Sequence, residues 1–228
     1  MSAAGRVLLL SNSTQHGRGY LDHAADALQA FLGPRGKVAF VPYAEFDLDG
    51  YAEKAGRRLA ALGYEVESLH RRPQALAEAD AVFVGGGNTF RLLHRLYAAG
   101  LVATIRQAVA GGLAYVGSSA GSIVAGPTIK TTKDMPIVQP PSFDALALVP
   151  FQISPHYLDP DPGSTHMGET QEERILTFLQ ENDCPVVGLR EGAWLRVESG
   201  AIRLDGGTVR VFRRGVPPAE CVPGPVSI

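Results

Sequence analysis

An α/β fold built on a mostly parallel sheet, with helices on both faces and a short-stranded C-terminal part, is what this 228-residue sequence predicts. Three observations predict it. Through about residue 125, strand-like runs alternate with amphipathic helical stretches, the rhythm of βα units. The strand runs, such as Val7-Leu8-Leu9-Leu10 and Ala81-Val82-Phe83-Val84, are apolar throughout, as strands covered on both faces should be. Past that point the texture changes to a polar, proline-rich stretch and then to several short strands.

Taken in order, residues 6–10 read as a first buried strand, stopped by the polar turn formers Ser11-Asn12-Ser13-Thr14. Over 20–32, Leu21, Ala24, Ala25, Leu28, Phe31 and Leu32 share one helical face, and Gly33-Pro34 ends the helix. Residues 37–42 predict a strand, 49–62 an amphipathic helix, 64–69 a strand, 75–79 a short helix and 81–84 another buried strand. Helices carrying Leu92, Leu93 and Leu96, then Leu101, Val102, Ile105 and Val109, follow a glycine turn. Residues 112–125 read as strand, tight turn and helix. From 128 to 143 three prolines predict a long loop, 146–153 a strand, and 163–174 a polar lead into a helix with Ile175, Leu176, Phe178 and Leu179 inward. Strands are expected at 185–189, 193–197, 201–204 and 208–212, with Gly206-Gly207 as a tight hairpin turn between the last two. No repeat or linker interrupts the chain, so residues 1–228 are expected to form one domain.

Composition narrows the function classes. Hydrophobic residues make up 45%, charged residues 19% and the net charge is −2, which gives no support to a nucleic-acid or membrane-surface role. The apolar run at 7–10 is too short for a signal-peptide core or a membrane span. Two cysteines, Cys184 and Cys221, lack metal-ligand spacing and are expected to stay reduced in a cytoplasmic protein.

The chemistry concentrates at Gly117-Ser118-Ser119-Ala120-Gly121, which fits the G-x-S-x-G nucleophile elbow. A serine on so tight a turn needs neighbours with almost no side chain, and the following helix aims free N–H groups at the site. Ser119 is therefore the candidate nucleophile. Such a serine needs a base. His16, His23, His70, His94 and His166 sit in loops, helices or at an early strand end, whereas His156 stands just past the carboxyl end of a buried strand, where catalytic groups gather in open parallel sheets. Two carboxylates compete as its partner. Asp134 lies between nucleophile and base in the chain, and Glu191 follows the strand ending at Leu189. Asp144, Asp159 and Asp161 read better as capping or loop residues. Gly85-Gly86-Gly87-Asn88 also ends a strand and opens a helix. Its spacing fits neither dinucleotide nor P-loop fingerprints, so it reads as the source of a second oxyanion donor, the Gly87 N–H beside that of Ala120, with Asn88 facing the substrate.

With those residues in place, the chain resembles the serine peptidase family that contains peptidase E and cyanophycinase. The matching stretches include Leu8-Leu9-Leu10-Ser11-Asn12-Ser13-Thr14, Gly85-Gly86-Gly87-Asn88-Thr89-Phe90, Ser119-Ala120-Gly121, Asp134-Met135-Pro136-Ile137-Val138, Pro155-His156 and Gly168-Glu169-Thr170. The resemblance implies a flavodoxin-like, class I glutaminase-like sheet. It also implies a cytoplasmic homodimer, without cofactor or metal, that cleaves dipeptides with an N-terminal aspartate. It assigns Ser119 as nucleophile, His156 as base, Gly87 and Ala120 as oxyanion donors, and offers both Asp134, which is preferred, and Glu191 for the third place. Two departures stand out: Ser118 where that form has tryptophan, and Gln171 where it has an arginine, whose loss would relax aspartate selectivity if that arginine binds the substrate's carboxylate. Lys133, Arg174 or another cation could supply the missing charge, and a broadened specificity is the alternative. Other readings are a hydrolase of aspartyl–arginine polymer, a ligand-binding module using the glycine turn, and a cysteine amide hydrolase. The last is disfavoured because Cys184 and Cys221 lie far from the elbow in sequence.

Overall fold

The computed structural model describes residues 5–163, 165 and 167–228; His166, one of the six histidines weighed above, lies outside the described residues. Five strands form a parallel array. They are β1 (Val7–Leu10), β2 (Gly36–Val41), β3 (Tyr64–Ser68), β4 (Ala81–Val84) and β5 (Ala114–Ser118), lying side by side in the order β1-β5-β4-β2-β3. Between them run α1 (Ala25–Leu32), α2 (Leu48–Ala61), α3 (Thr89–Ala98) and α4 (Leu101–Ala110), and after β5 comes α5 (Ala120–Ala125).

The second half adds β6 (Gln152–Pro155), α6 (Gln171–Glu181), β7 (Val186–Leu189), β8 (Trp194–Glu198), β9 (Ala201–Gly206), β10 (Val209–Arg213), β11 (Val216–Cys221) and β12 (Gly224–Pro225). Strand β8 joins β1 antiparallel, and β9 and β12 extend that edge, so the large sheet has eight strands. A second sheet of four has the order β11-β10-β7-β6, with β6 and β7 parallel and paired Pro155 to Leu189 at their carboxyl ends.

Alternate residues of β1 explain the layers. Leu8 and Leu10 pack with Leu28, Phe31 and Leu59 of α1 and α2 on one face. Val7 and Leu9 face Leu92, Leu96, Ile105 and Ile123 of the other helices, and the same apolar cluster continues into Ile153, Val187 and Val211 of the small sheet. Helix α6 covers the far side of that sheet through Ile175 and Leu179 against Val186 and Phe212. Each such fully buried side chain contributes about 1.5–3 kcal/mol.

Four local expectations change. The helix expected over 20–32 is broken: Leu21 takes a left-handed conformation (φ 58°), Asp22–Ala24 forms one 3₁₀ turn, and α1 starts only at Ala25. The strand expected at 146–153 shrinks to β6, because residues 145–148 bond back to Val124, Ala125, Gly126 and Pro127 rather than to a strand. Gly206-Gly207 does not join a hairpin. Strand β9 pairs with β8 and β10 with β7, so the turn carries the chain from one sheet to the other, with Gly207 at φ 69°. Leu176 faces outward instead of inward. Strand β11 was hidden by Pro217 and Pro218; it is an edge strand, where a missing N–H can face solvent.

Candidate active site

The elbow is tight because of its glycines. A Cβ on Gly117 would stand 2.5 Å from the Gly121 carbonyl oxygen, and one on Gly121 would stand 2.0 Å from that of Val84. Strand β5 can therefore turn straight into α5 only with glycine on both sides of the serine. Ser119 sits at the bend with φ 51° and ψ −112°, a sparsely populated conformation that costs about 1–3 kcal/mol and holds its hydroxyl clear of the sheet. Its own N–H is fixed on the Leu10 carbonyl at 3.0 Å.

That hydroxyl meets His156, Oγ to Nε2 at 2.8 Å. The other ring nitrogen, Nδ1, lies 2.8 Å from Oε1 of Glu191. The line Ser119–His156–Glu191 thus draws its nucleophile from the large sheet and its other two members from the small one. Register explains the second contact: β6 and β7 are parallel and end together at Pro155 and Leu189, so the residues just beyond both ends emerge side by side.

Asp134, preferred above as the third member, goes elsewhere. Its Oδ2 accepts the Thr89 N–H at 2.7 Å and the Thr132 hydroxyl at 3.1 Å. The carboxylate therefore caps the first turn of α3, where unpaired N–H groups and the helix dipole favour a negative charge. It lines the cleft without bonding to His156.

The expected substrate contacts change as well. Asn88 is the N-cap of α3: its Oδ1 accepts the Arg91 N–H at 3.0 Å, and its Nδ2 donates to the Met135 carbonyl at 2.9 Å. Gln171 opens α6 and turns inward, donating from Nε2 to the His156 carbonyl (3.1 Å) and accepting on Oε1 from the Leu158 N–H (3.2 Å) and Lys133 Nζ (3.0 Å). Lys133 is exposed along its stem, yet its amine turns under the loop and also donates to the carbonyls of Pro155 (2.7 Å) and His156 (3.3 Å). Loss of water around that amine pulls its pKa down to about 8. Neither Gln171 nor Lys133 faces the cleft, and Arg174 pairs with Glu169 at 3.7 Å.

The remaining histidines within the described residues serve other partners or stand apart from Ser119. His70 joins Ser68 and Asp49, and His94 bonds the Gln139 carbonyl. His23 has its pKa lowered, first by burial and then by Arg18. Asp159 holds Arg190, and Asp161 accepts the Gly163 N–H. Both cysteines are free thiols.

Above Ser119 and His156 opens a cleft of about 630 Å³. Tyr20, Tyr51, Lys54, Glu45, Asp47, Gly86 and Gly87 also line it. The Tyr51 hydroxyl lies 3.4 Å from that of Tyr20, and burial pushes its pKa up to about 12, so it stays neutral. Lys54 rests over the Tyr20 ring at 4.9 Å and is the lysine or arginine among the cleft-lining residues. The N–H groups of Gly87 and Ala120 find no acceptor among the described residues. Gly87 needs its glycine, since φ is 130° and a Cβ would meet the Ala44 carbonyl at 2.8 Å.

Three residues that sequence reasoning passed over shape this site. Ser11 Oγ donates to the Leu189 carbonyl (2.8 Å) and accepts the His156 N–H (2.9 Å), while Asn12 Oδ1 accepts the Gly192 N–H (2.8 Å), one residue from Glu191. Their signal was a polar pair directly after a buried strand next to the elbow strand. Lys54 offered none, because only the tertiary fold brings α2 over the serine.

Comparison with known proteins supplies a family. The family model described as peptidase family S51 matches residues 7–204. A peptidase E of Streptomyces coelicolor is 58% identical over 222 residues, covering 96% of this chain and 91% of the relative. A probable alpha-aspartyl dipeptidase of Drosophila melanogaster is 51% identical, covering 93% and 92%. In fold, the crystal structure of a peptidase from an acI-B1 actinobacterium superposes with a TM-score of 0.74 at 18% identity, over 100% of this chain and 98% of that one. An elbow serine already in contact with a histidine, on a chain matched over most of its length in this way, makes the protein a serine peptidase belonging to peptidase family S51.

Proposed function

We propose that this peptidase hydrolyses dipeptides with an N-terminal aspartate through an acyl-enzyme on Ser119. The observation that carries the reading is the unbroken line from Ser119 through His156 to Glu191, both contacts at 2.8 Å. In this reading Nε2 of His156 takes the serine proton as Oγ attacks the scissile carbonyl. Glu191 keeps the remaining ring proton on Nδ1 and steadies the imidazolium that forms. The Gly87 and Ala120 N–H groups receive the oxyanion. Collapse of the tetrahedral intermediate passes the proton to the departing amine, and water then repeats the sequence to free the acid.

Specificity follows from the charges around the cleft. Glu45, Asp47 and Asp134 favour a substrate ammonium, and Lys54 is placed to take a carboxylate. Of the cations expected to fill that role, Lys133 and Arg174 are engaged away from the cleft, which leaves another cation, Lys54. The curated relatives carrying the names peptidase E and alpha-aspartyl dipeptidase support the substrate class.

The test is hydrolysis of Asp-X, Glu-X, Asn-X, Ala-X and N-blocked Asp-X by the wild type, Ser119→Ala and Lys54→Met. Cleavage confined to free Asp-X, lost in Ser119→Ala and weakened through KM in Lys54→Met, is the expected result. Turnover near wild type in Ser119→Ala refutes the mechanism, and equal cleavage of all dipeptides refutes the specificity.

We further propose that residues 1–228 act as one domain, as a homodimer in the cytoplasm. The apolar cluster shared by both sheets, the exposed Phe46, Met135 and Ile137 near the cleft, and the two free thiols support this. No helix among the described residues is long and apolar enough to cross a membrane. Light scattering at a monomer mass would refute the dimer.

A further inference from the structure

His156 holds an unfavourable backbone. Its φ is 52°, the left-handed region that residues bearing a Cβ avoid. Released, the residue would relax to the extended or right-handed region and swing its ring away from Ser119. Something must over-determine the strained state. Both backbone polar groups of His156 are in fact gripped from outside. The His156 N–H donates to Ser11 Oγ, and its carbonyl accepts from both Gln171 Nε2 and Lys133 Nζ. The flanking groups are held too: the Pro155 carbonyl by Lys133, the Tyr157 N–H by the Leu189 carbonyl and the Leu158 N–H by Gln171 Oε1.

The three gripping side chains come from three separate elements. Ser11 is wholly buried at the end of β1. Gln171 is set at the start of α6 by the Thr170–Glu173 capping box. Lys133 belongs to the loop that also carries Asp134. Gln171 and Lys133 bond each other at 3.0 Å, so they act on the His156 carbonyl as one unit.

We propose that Ser11, Lys133 and Gln171 are positioning residues that clamp the backbone of the catalytic histidine, and that residue 171 of this chain acts on the base rather than on the substrate. The proposal rests on the reading of Ser119 and His156 as nucleophile and base. A clamp of this kind affects the reactivity of Ser119 toward any electrophile and leaves substrate affinity alone. A side chain that binds substrate does the reverse.

The experiment compares wild type with Gln171→Glu, Gln171→Met, Lys133→Met and Ser11→Ala. Gln171→Glu keeps the shape and the acceptors for Leu158 and Lys133 but removes the donor to the His156 carbonyl. For each variant, kcat and KM on Asp-X, the rate of Ser119 labelling by a fluorophosphonate, and Tm are measured. We expect kcat and the labelling rate to fall together by about 10- to 100-fold, since small displacements of a reacting group have effects of that order. KM should stay within about twofold, and Gln171→Glu should lose as much as Gln171→Met. A raised KM with an unchanged labelling rate makes Gln171 a substrate contact and overturns the clamp. An unchanged labelling rate with a lowered Tm makes the contacts merely structural and overturns it equally. Wild-type protein that is not labelled at Ser119 overturns the underlying reading of the site, and the clamp with it.

Discussion

Replacing Glu191 by glutamine tests its proposed place as the third member of the line. The side chain keeps its shape and an oxygen for the Nδ1 proton but loses its charge. Heavy atoms 2.8 Å apart place the charge centres of carboxylate and imidazolium about 4 Å apart, worth about 1 kcal/mol in water and about 4 kcal/mol at an effective dielectric constant of about 20. The side chains of His156 and Glu191 are 42% and 50% exposed, which puts the pair near the water limit, at about 1–2 kcal/mol. In the proposed mechanism the imidazolium exists only as the serine proton moves, so the loss falls on kcat, by about 5- to 30-fold, with KM little changed. Steady-state hydrolysis of an aspartyl dipeptide at fixed neutral pH measures this. The downfield proton NMR signal of His156 Nδ1–H gives a direct second reading. It should move strongly in Glu191→Gln and persist in Asp134→Asn, because Asp134 bonds Thr89 and Thr132 instead. An unchanged kcat in Glu191→Gln, or loss of that signal only in Asp134→Asn, refutes the assignment of Glu191.

Three further outcomes follow from the elbow and its surroundings. Gly121→Ala should destabilise the fold by about 3 kcal/mol in urea titration, since the new Cβ meets the Val84 carbonyl oxygen at 2.0 Å; a cost below about 1 kcal/mol contradicts the elbow geometry. Ser118 is wholly buried with no partner for its hydroxyl among the described residues, so Ser118→Ala should raise stability by about 1 kcal/mol at unchanged kcat, and a loss of stability would reveal a missed partner. Arg190 beside Asp159 holds that carboxyl below its ordinary value of 3.8, chiefly by hydrogen bonding. A depressed carboxyl stabilises the fold above the unfolded pKa and ceases to do so as pH falls through the folded one. Asp159→Asn should therefore cost about 0.5–1 kcal/mol at neutral pH, the pair being partly exposed, and nothing in strong acid. A difference that is the same at both pH values would refute the linkage.

Much of the architecture was legible because period and punctuation are local properties. The apolar runs, their helical partners and the glycine stops are all read within a dozen residues. Ser119 was legible for the same reason, its motif being five consecutive residues, and His156 from its place just past a strand. The choice between Asp134 and Glu191 was not local. It depends on β6 lying beside β7 in register, a pairing across more than 30 residues that no short window encodes. Chain order pointed to Asp134, whose carboxylate instead answers the bare N–H of an adjacent helix. Nor was it legible that Asn88 and Gln171 bond backbone groups, since polar side chains close to such a loop serve the backbone as readily as a ligand. The crossing at Gly206-Gly207 also escaped, because two glycines look alike whether a turn closes a hairpin or hands the chain to another sheet.

The line Ser119–His156–Glu191 is split between two sheets. His156 and Glu191 follow adjacent, hydrogen-bonded strands. Ser119 belongs to the other sheet, and besides apolar packing the two are joined beside the site by Ser11, which bonds the His156 N–H and the Leu189 carbonyl, and by Asn12, which bonds the Gly192 N–H. The Ser119–His156 gap is thus set across a seam pinned by two polar side chains of one strand end. In the proposed mechanism, the rate of turnover becomes a gauge of how firmly that seam is seated.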